Sequence, residues 1–379
     1  MKKIKIGDVC DILNGYAFKS ENYVDSGIRI IRISNVQKGY IEDNTPAFYS
    51  LDTAGMDKFM LEQGDLLMSL TGNVGRVAIL GKELLPAALN QRVACLRLKS
   101  NKVSKSYLFH ILNSNFFERQ CITAAKGVAQ KNMSTEWLKD YEIPLYEPDQ
   151  QGKIAKSLNN VQSIISSRRH ELQKLDELIK ARFVELFGSC QHMALMNELC
   201  SIITDGTHQS PEFQDNGIPF VLVSNLVNNT VTYNTEKFIS EETYDKLYKR
   251  TPIEIGDLLL STVGSYGHAA VVVEDKKFLF QRHIAYLKPK HEIVNSFYLK
   301  ATLLSPNGQQ QIEEKVKGIA QKTLNLSEIK KIVVPLPSME EQEAFAAFVE
   351  QTDKSKSVVQ KALDEAQLLF DSLMQQYFG

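Results

Sequence analysis

The apolar positions of this chain follow two rhythms, and the change from one to the other happens twice. In residues 1–146 and again in 191–337, short apolar runs are separated by glycine and asparagine turns. Runs such as Ile28-Arg29-Ile30-Ile31-Arg32-Ile33 and Arg76-Val77-Ala78-Ile79-Leu80 predict strands. Residues 106–123 and 296–316 have helical spacing instead, and Pro306-Asn307-Gly308 predicts a bend or break in the second. After Pro148 the apolar series is Ile154, Leu158, Val161, Ile165, Leu172, Leu175, Ile179, with Arg168 on the seam. After Pro337 it is Phe345, Val349, Thr352, Lys356, Val359, Leu363, Ala366, Phe370, Leu373, Tyr377. Steps of four and three describe a coiled-coil heptad, narrower than the stripe of a core-packed helix. Gly188 and Gly379 follow the two series, as expected just beyond a helix C-terminus.

The motifs themselves recur. Glu62-Gln63-Gly64-Asp65-Leu66-Leu67-Met68-Ser69 returns as Glu254-Ile255-Gly256-Asp257-Leu258-Leu259-Leu260-Ser261, and Gly72-Asn73-Val74-Gly75 as Gly264-Ser265-Tyr266-Gly267. Ser34-Asn35 matches Ser224-Asn225, and Gln91-Arg92 matches Gln281-Arg282. Lys126-Gly127-Val128-Ala129-Gln130-Lys131 matches Lys317-Gly318-Ile319-Ala320-Gln321-Lys322, and Ile143-Pro144-Leu145 matches Val334-Pro335-Leu336. A constant order at a nearly constant offset is the signature of duplication. The expected fold is α+β: two similar mixed α/β domains, 1–146 and 191–337, and two long helices, 147–190 and 338–379, paired antiparallel about a pseudo-two-fold axis.

A helix of about 35–40 residues is roughly 52–60 Å long. Two of them pairing within one chain would hold two domains at a set spacing; pairing with another protein is the alternative. Polar Arg168, Thr352 and Lys356 on the seams would set register or accept a partner helix.

The 379 residues exceed one core, which stops growing near 250–300 residues. The chain is 43% hydrophobic and 23% charged, which argues against disorder. No run approaches the ~20 apolar residues of a membrane span, and no secretory leader is visible, so a cytoplasmic protein is expected. Five cysteines without a CxxC pair argue against a disulfide framework or a zinc site. Net charge is −1, so a polyanion would have to be met by local patches. Residues 1–146 carry 19 basic against 15 acidic residues, 191–337 carry 15 against 16, and 338–379 carry 3 against 8.

Two similar domains at a fixed separation suit double-stranded DNA, read as two short blocks around an unread gap. Thr71, Asn73 and Arg76, with Ser265, Tyr266 and His268, lie on or beside loops where two glycines bracket a polar pair; such loops let backbone N–H groups approach phosphate, although a plain hairpin turn has the same pattern. Gln91, Arg92, Gln281 and Arg282 can contact base edges, or simply face solvent. Lys126, Gln130 and Lys131, with Lys317, Gln321 and Lys322, place two lysines and a glutamine around a glycine at identical spacing, the strongest of these DNA-contact candidates.

No catalytic constellation emerges. The chain has no phosphate loop, no dinucleotide fingerprint and no Asp/Asn-Pro-Pro-aromatic signature of an amino-methyltransferase. Asp257 followed by Glu274-Asp275-Lys276 is nuclease-like, but the first repeat lacks the pattern, so a structural aspartate and a solvated hairpin tip are expected. The seven histidines show no metal-ligand spacing.

With its duplicated Gly-Asp-Leu-Leu and Gly-x-x-Gly elements, its Lys-Gly-x-Ala-Gln-Lys segments and the long helices that open on Gln150 to Ala155 and Glu341 to Ala346, the whole chain resembles the DNA-specificity (S) subunit of type I restriction-modification enzymes. The ending Phe183-Val184-Glu185-Leu186-Phe187-Gly188 is also family-like. The resemblance implies two target recognition domains reading a bipartite DNA site and no catalysis or cofactor in this chain. It further implies two modification subunits, which bind S-adenosylmethionine and methylate adenine N6, and restriction subunits using ATP and Mg²⁺. Alternatives are the recognition subunit of a combined methyltransferase/nuclease system, a duplicated coiled-coil adaptor for protein or membrane, and a nuclease using Asp257 and Glu274.

Overall fold

The computed structural model describes residues 2–51, 55–125, 132–318 and 321–379. They form two compact units, Met1–Arg168 with Ala362–Gly379, and Arg169–Lys361. The first unit contains β1 (Lys3–Lys5), β2 (Cys10–Asn14), β3 (Ile28–Ile31), β4 (Phe48–Tyr49), β5 (Leu66–Ser69), β6 (Val77–Ile79), β7 (Ala87–Leu89), β8 (Val93–Leu98) and β9 (Glu142–Pro144). Strands β2-β8-β5-β6 make an antiparallel sheet, β4-β3-β7 a second sheet in which β3 and β7 are parallel, and β1-β9 an antiparallel pair. In the second unit β10 (Met193–Leu195), β11 (Cys200–Asp205), β12 (Ile218–Val221), β13 (Phe238–Ile239), β14 (Leu258–Ser261), β15 (Ala269–Val271), β16 (Leu279–Phe280), β17 (Ile284–Pro289) and β18 (Val333–Pro335) repeat that connectivity strand for strand. The duplication in the sequence is thus a duplication of topology.

The apolar run after each Gly-Asp explains why β5 and β14 are central. Leu66 and Met68 face one core and Leu67 the opposite one, and Leu258, Leu260 and Leu259 divide in the same way. A strand covered on both faces needs no polar alternation, which is why it reads as a continuous hydrophobic run.

The expected helix over 106–123 is two helices, Lys105–Leu112 and Asn115–Ala124. Ser114 caps the second by accepting from the Phe117 amide at 3.1 Å. The break requires no proline, because a serine oxygen satisfies an N–H that the first turn leaves unpaired. In the second unit the break is at Ser305, between Ser296–Leu304 and Pro306–Lys315, next to the proline that predicted it.

The long helices are Pro148–Phe187 and Met339–Phe378, each 40 residues. In the first unit Ile154, Leu158, Val161 and Ile165 are buried with Ala366, Met374 and Phe378, while Leu363, Phe370 and Leu373 pack alongside, half-buried. In the second, Phe183 and Phe187 are buried with Phe345 and Val349, and Ile179 packs against them. Within each unit the start of one helix meets the end of the other, an antiparallel pairing. Leu172 and Leu175 are half-buried and Val359 is buried. Of the polar seam residues, Thr352 donates to Phe348 O at 2.9 Å on its own helix, and Lys356 reaches across to Asp176 at 2.6 Å.

A buried glutamine fastens each long helix to its globular domain. Gln151 Nε2 donates to Lys102 O (2.8 Å) and Tyr146 O (2.9 Å), and its Oε1 accepts from the Ser104 amide (3.0 Å). Gln342 makes the same three bonds to Ile293 O (3.2 Å), Pro337 O (3.1 Å) and the Asn295 amide (2.9 Å). Truncation strands three backbone groups inside the protein, at about 1–3 kcal/mol. Gln342→Ala is therefore expected to lower the urea midpoint followed by far-UV circular dichroism, and an unmoved midpoint would show that the clamp is dispensable.

Candidate nucleic-acid interface

Backbone hydrogen bonds gather the recurring polar motifs at one place in each unit. In the first, the β5–β6 hairpin carries Thr71, Asn73 and Arg76, and the β7–β8 turn carries Gln91 and Arg92. The Leu70 amide donates to Arg92 O (2.9 Å) and joins the two. A third strip arrives at Asn132 and Met133: the Met133 amide donates to Leu70 O (2.8 Å) and Thr71 Oγ1 to Asn132 Oδ1 (2.8 Å). Lys126, Gln130 and Lys131 lie outside the described residues. In the second unit the Thr262 amide donates to His283 O (2.9 Å), the Leu324 amide to Thr262 O (2.8 Å) and the Gly264 amide to Lys322 O (3.3 Å). Hairpin, turn and third strip therefore converge by the same bonds.

The Gly-x-x-Gly loops are tight turns with positive φ at all four glycines, from 71° to 85°. Ser69 O and Ser261 O accept from the Gly75 and Gly267 amides, both at 2.9 Å. A Cβ on Gly72 or Gly264 would meet nothing within 4 Å, so the outer glycine of each loop faces open space, while Gly75 is pressed against Cys121. Asn73 is exposed, Thr71 is buried in its bond to Asn132, and Arg76 is half-buried with its guanidinium on Gln37. In the second loop Ser265 Oγ lies 3.0 Å from His268 Nε2, and His268 Nδ1 lies 3.3 Å from Asn229 Oδ1.

One sequence match shifts in space. Gln91-Arg92 and Gln281-Arg282 look like a repeat, but the sheet ladders place Gln91 with Arg282 and Arg92 with His283. The Gln91 amide donates to Tyr16 O (2.9 Å) as the Arg282 amide does to Thr207 O (3.1 Å), and Leu70 bonds Arg92 O as Thr262 bonds His283 O. The dipeptide recurs one residue out of register, so its positions are not equivalent. Gln91, Arg92 and Arg282 are exposed, and Gln281 is half-buried.

In the second unit these elements enclose a cleft lined by Asp205, Val263, Arg282, His283 and Gln321. Burial, reinforced by the nearby Arg282 charge, lowers the His283 pKa from its ordinary value and favours a neutral ring. That ring can accept from Arg282 Nε, 3.3 Å away. Asp205 is held by Arg250 (2.8 Å) and His208 (2.9 Å). Lys317 is exposed, 3.7 Å from Glu328, and Lys322 pairs with Glu313 at 2.8 Å. The cleft offers donors and acceptors together, the mixture that base edges present in a groove.

The Gly-Asp carboxylates belong to the interior. Asp65 and Asp257 each accept from the amide three residues earlier, Glu62 and Glu254, at 2.8 Å. Asp65 also takes Arg97 Nε (3.0 Å) and Nη2 (2.6 Å), whereas Asp257 takes the Tyr286 hydroxyl (2.8 Å) and Lys288 (3.4 Å). Asp257 is 1% exposed, whereas Glu274 stands in an exposed turn, so the nuclease pairing offers no accessible carboxylate at Asp257. Cys10, Cys95, Cys121 and Cys200 are buried, and burial pushes the thiols of Cys10, Cys121 and Cys200 up to about 12. No helix among the described residues is long and apolar enough to cross a membrane.

Sequence reasoning missed the role of Ser34-Asn35 and Ser224-Asn225. Asn35 and Asn225 are buried loop clamps, accepting from the Arg32 and Leu222 amides (both 2.9 Å) and donating to Glu42 O (2.8 Å) and Asn234 O (2.9 Å). Their recurrence was the available signal.

Comparison with known proteins agrees on one family. The model of the type I restriction modification DNA specificity domain matches residues 1–177 and 195–367. The EcoBI type I restriction enzyme specificity subunit of Escherichia coli is 26% identical over 98% of this chain and 83% of its own length. The putative MjaX specificity subunit of Methanocaldococcus jannaschii is 26% identical over 94% of this chain and 89% of its own. Among solved structures, the S subunit of a type I restriction-modification system from M. genitalium aligns over 100% of this chain and 96% of its own, with a TM-score of 0.56 at 16% identity. A chain from a study of complex assembly in the type I system aligns over 100% of this chain and 97% of its own, with a TM-score of 0.55 at 18% identity.

Proposed function

Because the chain belongs to the type I restriction modification DNA specificity family, we propose that each of its two domains reads one half of a bipartite duplex target through the face where hairpin, turn and third strip meet. The chain is a DNA-recognition subunit of a type I restriction-modification system, and it works in a complex with other subunits of that system. The observation that carries the two-half reading is the repetition of that convergence in both units by the same backbone hydrogen bonds.

The chemistry of the face supports it. Each copy presents an outer glycine with open space beside it, exposed Gln91 and Arg92 or Arg282 on the neighbouring turn, and in the second copy exposed Gln321 and Lys317. Lysine and arginine meet phosphate and set affinity; glutamine, arginine and asparagine have the donor and acceptor geometry for base edges. The side chains that differ between the copies, Asn73 against Ser265 and Arg92 against His283, suit different half-sites.

Catalysis falls to partner chains on this reading. Two modification subunits would bring S-adenosylmethionine and methylate adenine N6, and restriction subunits would bring ATP and Mg²⁺. The exposed apolar residues Val358, Leu368 and Leu369 on the second long helix provide surface for such contacts. Co-expression with the neighbouring methyltransferase in a methylation-free host, followed by single-molecule mapping of N6-methyladenine, is the test. Two short blocks around a fixed unspecified gap, methylated on both strands, are expected. An assembled complex that leaves the DNA unmethylated would count against DNA recognition.

A further inference from the structure

The second domain holds one of its motif lysines in an ion pair whose other members, Tyr266 and Glu313, are not repeated at the matching positions of the first domain's sequence. Lys322, the last residue of the recurring lysine segment, donates to Glu313 Oε1 at 2.8 Å and lies 3.3 Å from the Tyr266 hydroxyl. The Tyr266 hydroxyl donates to the other oxygen of Glu313, and the Lys322 ammonium sits 5.8 Å from the Tyr266 ring centroid. Three elements meet here: the Gly-x-x-Gly loop, the helix Pro306–Lys315 and the lysine segment. Glu313 and Lys322 are exposed. The bonds from Lys322 and Tyr266 hold the Glu313 carboxyl below its usual range, so it is anionic at neutral pH.

By the repeat, Tyr266 corresponds to Val74, Glu313 to Ile122 and Lys322 to Lys131. Val74 is buried and Ile122 exposed, and neither supplies an anion or a hydroxyl. The sequence keeps the lysine in both copies, while the glutamate at the matching helix position is present in the second alone.

We propose that Glu313 is a specificity-determining residue that occupies Lys322 in place of a DNA phosphate, so that the second domain grips non-target duplex weakly and releases Lys322 only when base contacts favour the exchange. The inference rests on the reading that this face meets DNA. An exposed ion pair is worth little in water, so a phosphate can replace the carboxylate. Until it does, the Lys322 charge is neutralised and the nearby carboxylate repels the backbone. Sequence-independent affinity comes from phosphate neutralisation, whereas base contacts carry discrimination. A carboxylate that cancels one cation therefore costs non-target binding more than target binding.

The experiment uses the full chain in complex with its methyltransferase and two duplexes, one holding the mapped target and one scrambled. Binding is measured across a KCl series for the parent, Glu313→Gln, Glu313→Gln with Lys322→Gln, and Arg282→Ala. Glu313→Gln is expected to tighten scrambled-duplex binding about 3–10-fold at low salt, to steepen the slope of log K against log salt by about one, and to lower the target-to-scrambled ratio. Adding Lys322→Gln is expected to abolish the gain. Unchanged or weaker scrambled binding by Glu313→Gln would overturn the proposal, as would a gain that survives loss of Lys322. If Arg282→Ala still weakens target binding in that case, the DNA-facing reading stands and the role of Glu313 alone has failed. A parent affinity flat in salt and indifferent to Arg282→Ala would instead remove the reading beneath it.

Discussion

Arg97→Met is expected to destabilise the first unit by about 3 kcal/mol, and by more at neutral pH than near pH 4. The Asp65 carboxylate is 5% exposed and accepts two bonds from Arg97 and one from the Glu62 amide. Burial by itself would raise its pKa, but the Arg97 bonds and the Glu62 amide outweigh burial and hold it below the ordinary value. Removing one partner of a buried pair typically costs 3–5 kcal/mol, and the partial exposure of Arg97, 31%, places this case at the lower end. The sign with pH follows from linkage. A carboxyl with a depressed folded pKa contributes stability above its unfolded value near 3.9 and loses it as pH falls through the folded value. Without Arg97, burial prevails, the folded pKa rises above the unfolded one, and Asp65 becomes a liability as pH rises. The gap between parent and variant therefore widens from pH 4 to 7. The chain's single tryptophan, Trp137, packs on Phe117 and Tyr141 in the same core, so its fluorescence in urea follows this unit. An equal gap at both pH values, or one under about 1 kcal/mol, would mean that the pair does not hold the sheet.

Replacing residues 1–146 with the corresponding domain of another family member is expected to rewrite one block of the methylated motif and leave the other block unchanged. The first unit closes its own core around β5 and β8, and the strand-to-helix junction depends on Gln151, which a graft ending at 146 leaves in place. The contacts proposed for the second half-site come from residues 205–324, none of which is touched. The readout is methylation mapping of the hybrid in complex with its methyltransferase. A change in both blocks would show that the domains read DNA jointly, and loss of neither would remove residues 1–146 from recognition.

Much of this arrangement was legible in the sequence because duplication prints every constraint twice. The Gly-Asp-Leu-Leu strands, the positive-φ glycine loops and the heptad helices are local patterns, fixed by neighbours within a few residues. What escaped reading depends on partners far along the chain: Asp65 meets Arg97 across 32 residues, and Gln151 reaches Lys102 across 49. The break at Ser114 was hidden because a capping serine resembles any polar helix position until its hydroxyl is seen on Phe117. The loop pattern puts Thr71 among the candidate DNA contacts, whereas its hydroxyl is committed to Asn132. The Gln-Arg match misled because a dipeptide can recur one residue out of step with the hydrogen-bond ladder that defines equivalence. The Lys126–Lys131 segment, a principal sequence candidate, lies outside the described residues, and of its copy Lys317, Gly318, Gln321 and Lys322 are described.

The buried aspartates bear on how the gene can change. The two copies keep the same carboxylate but satisfy it differently: on β8 it meets Arg97, on β17 Tyr286 and Lys288. A crossover between the two halves of the coding sequence that fell between β5 and β8 would set Asp65 against Tyr286 and Lys288 inside a core shaped for arginine, and such recombinants should be lost. A crossover between β9 and the following helix meets no such conflict, since Gln151 and Gln342 make the same bonds on either side. Replacement of a whole domain from end to end would avoid the conflict as well, because each aspartate would keep the partners on its own sheet and each long helix its glutamine junction.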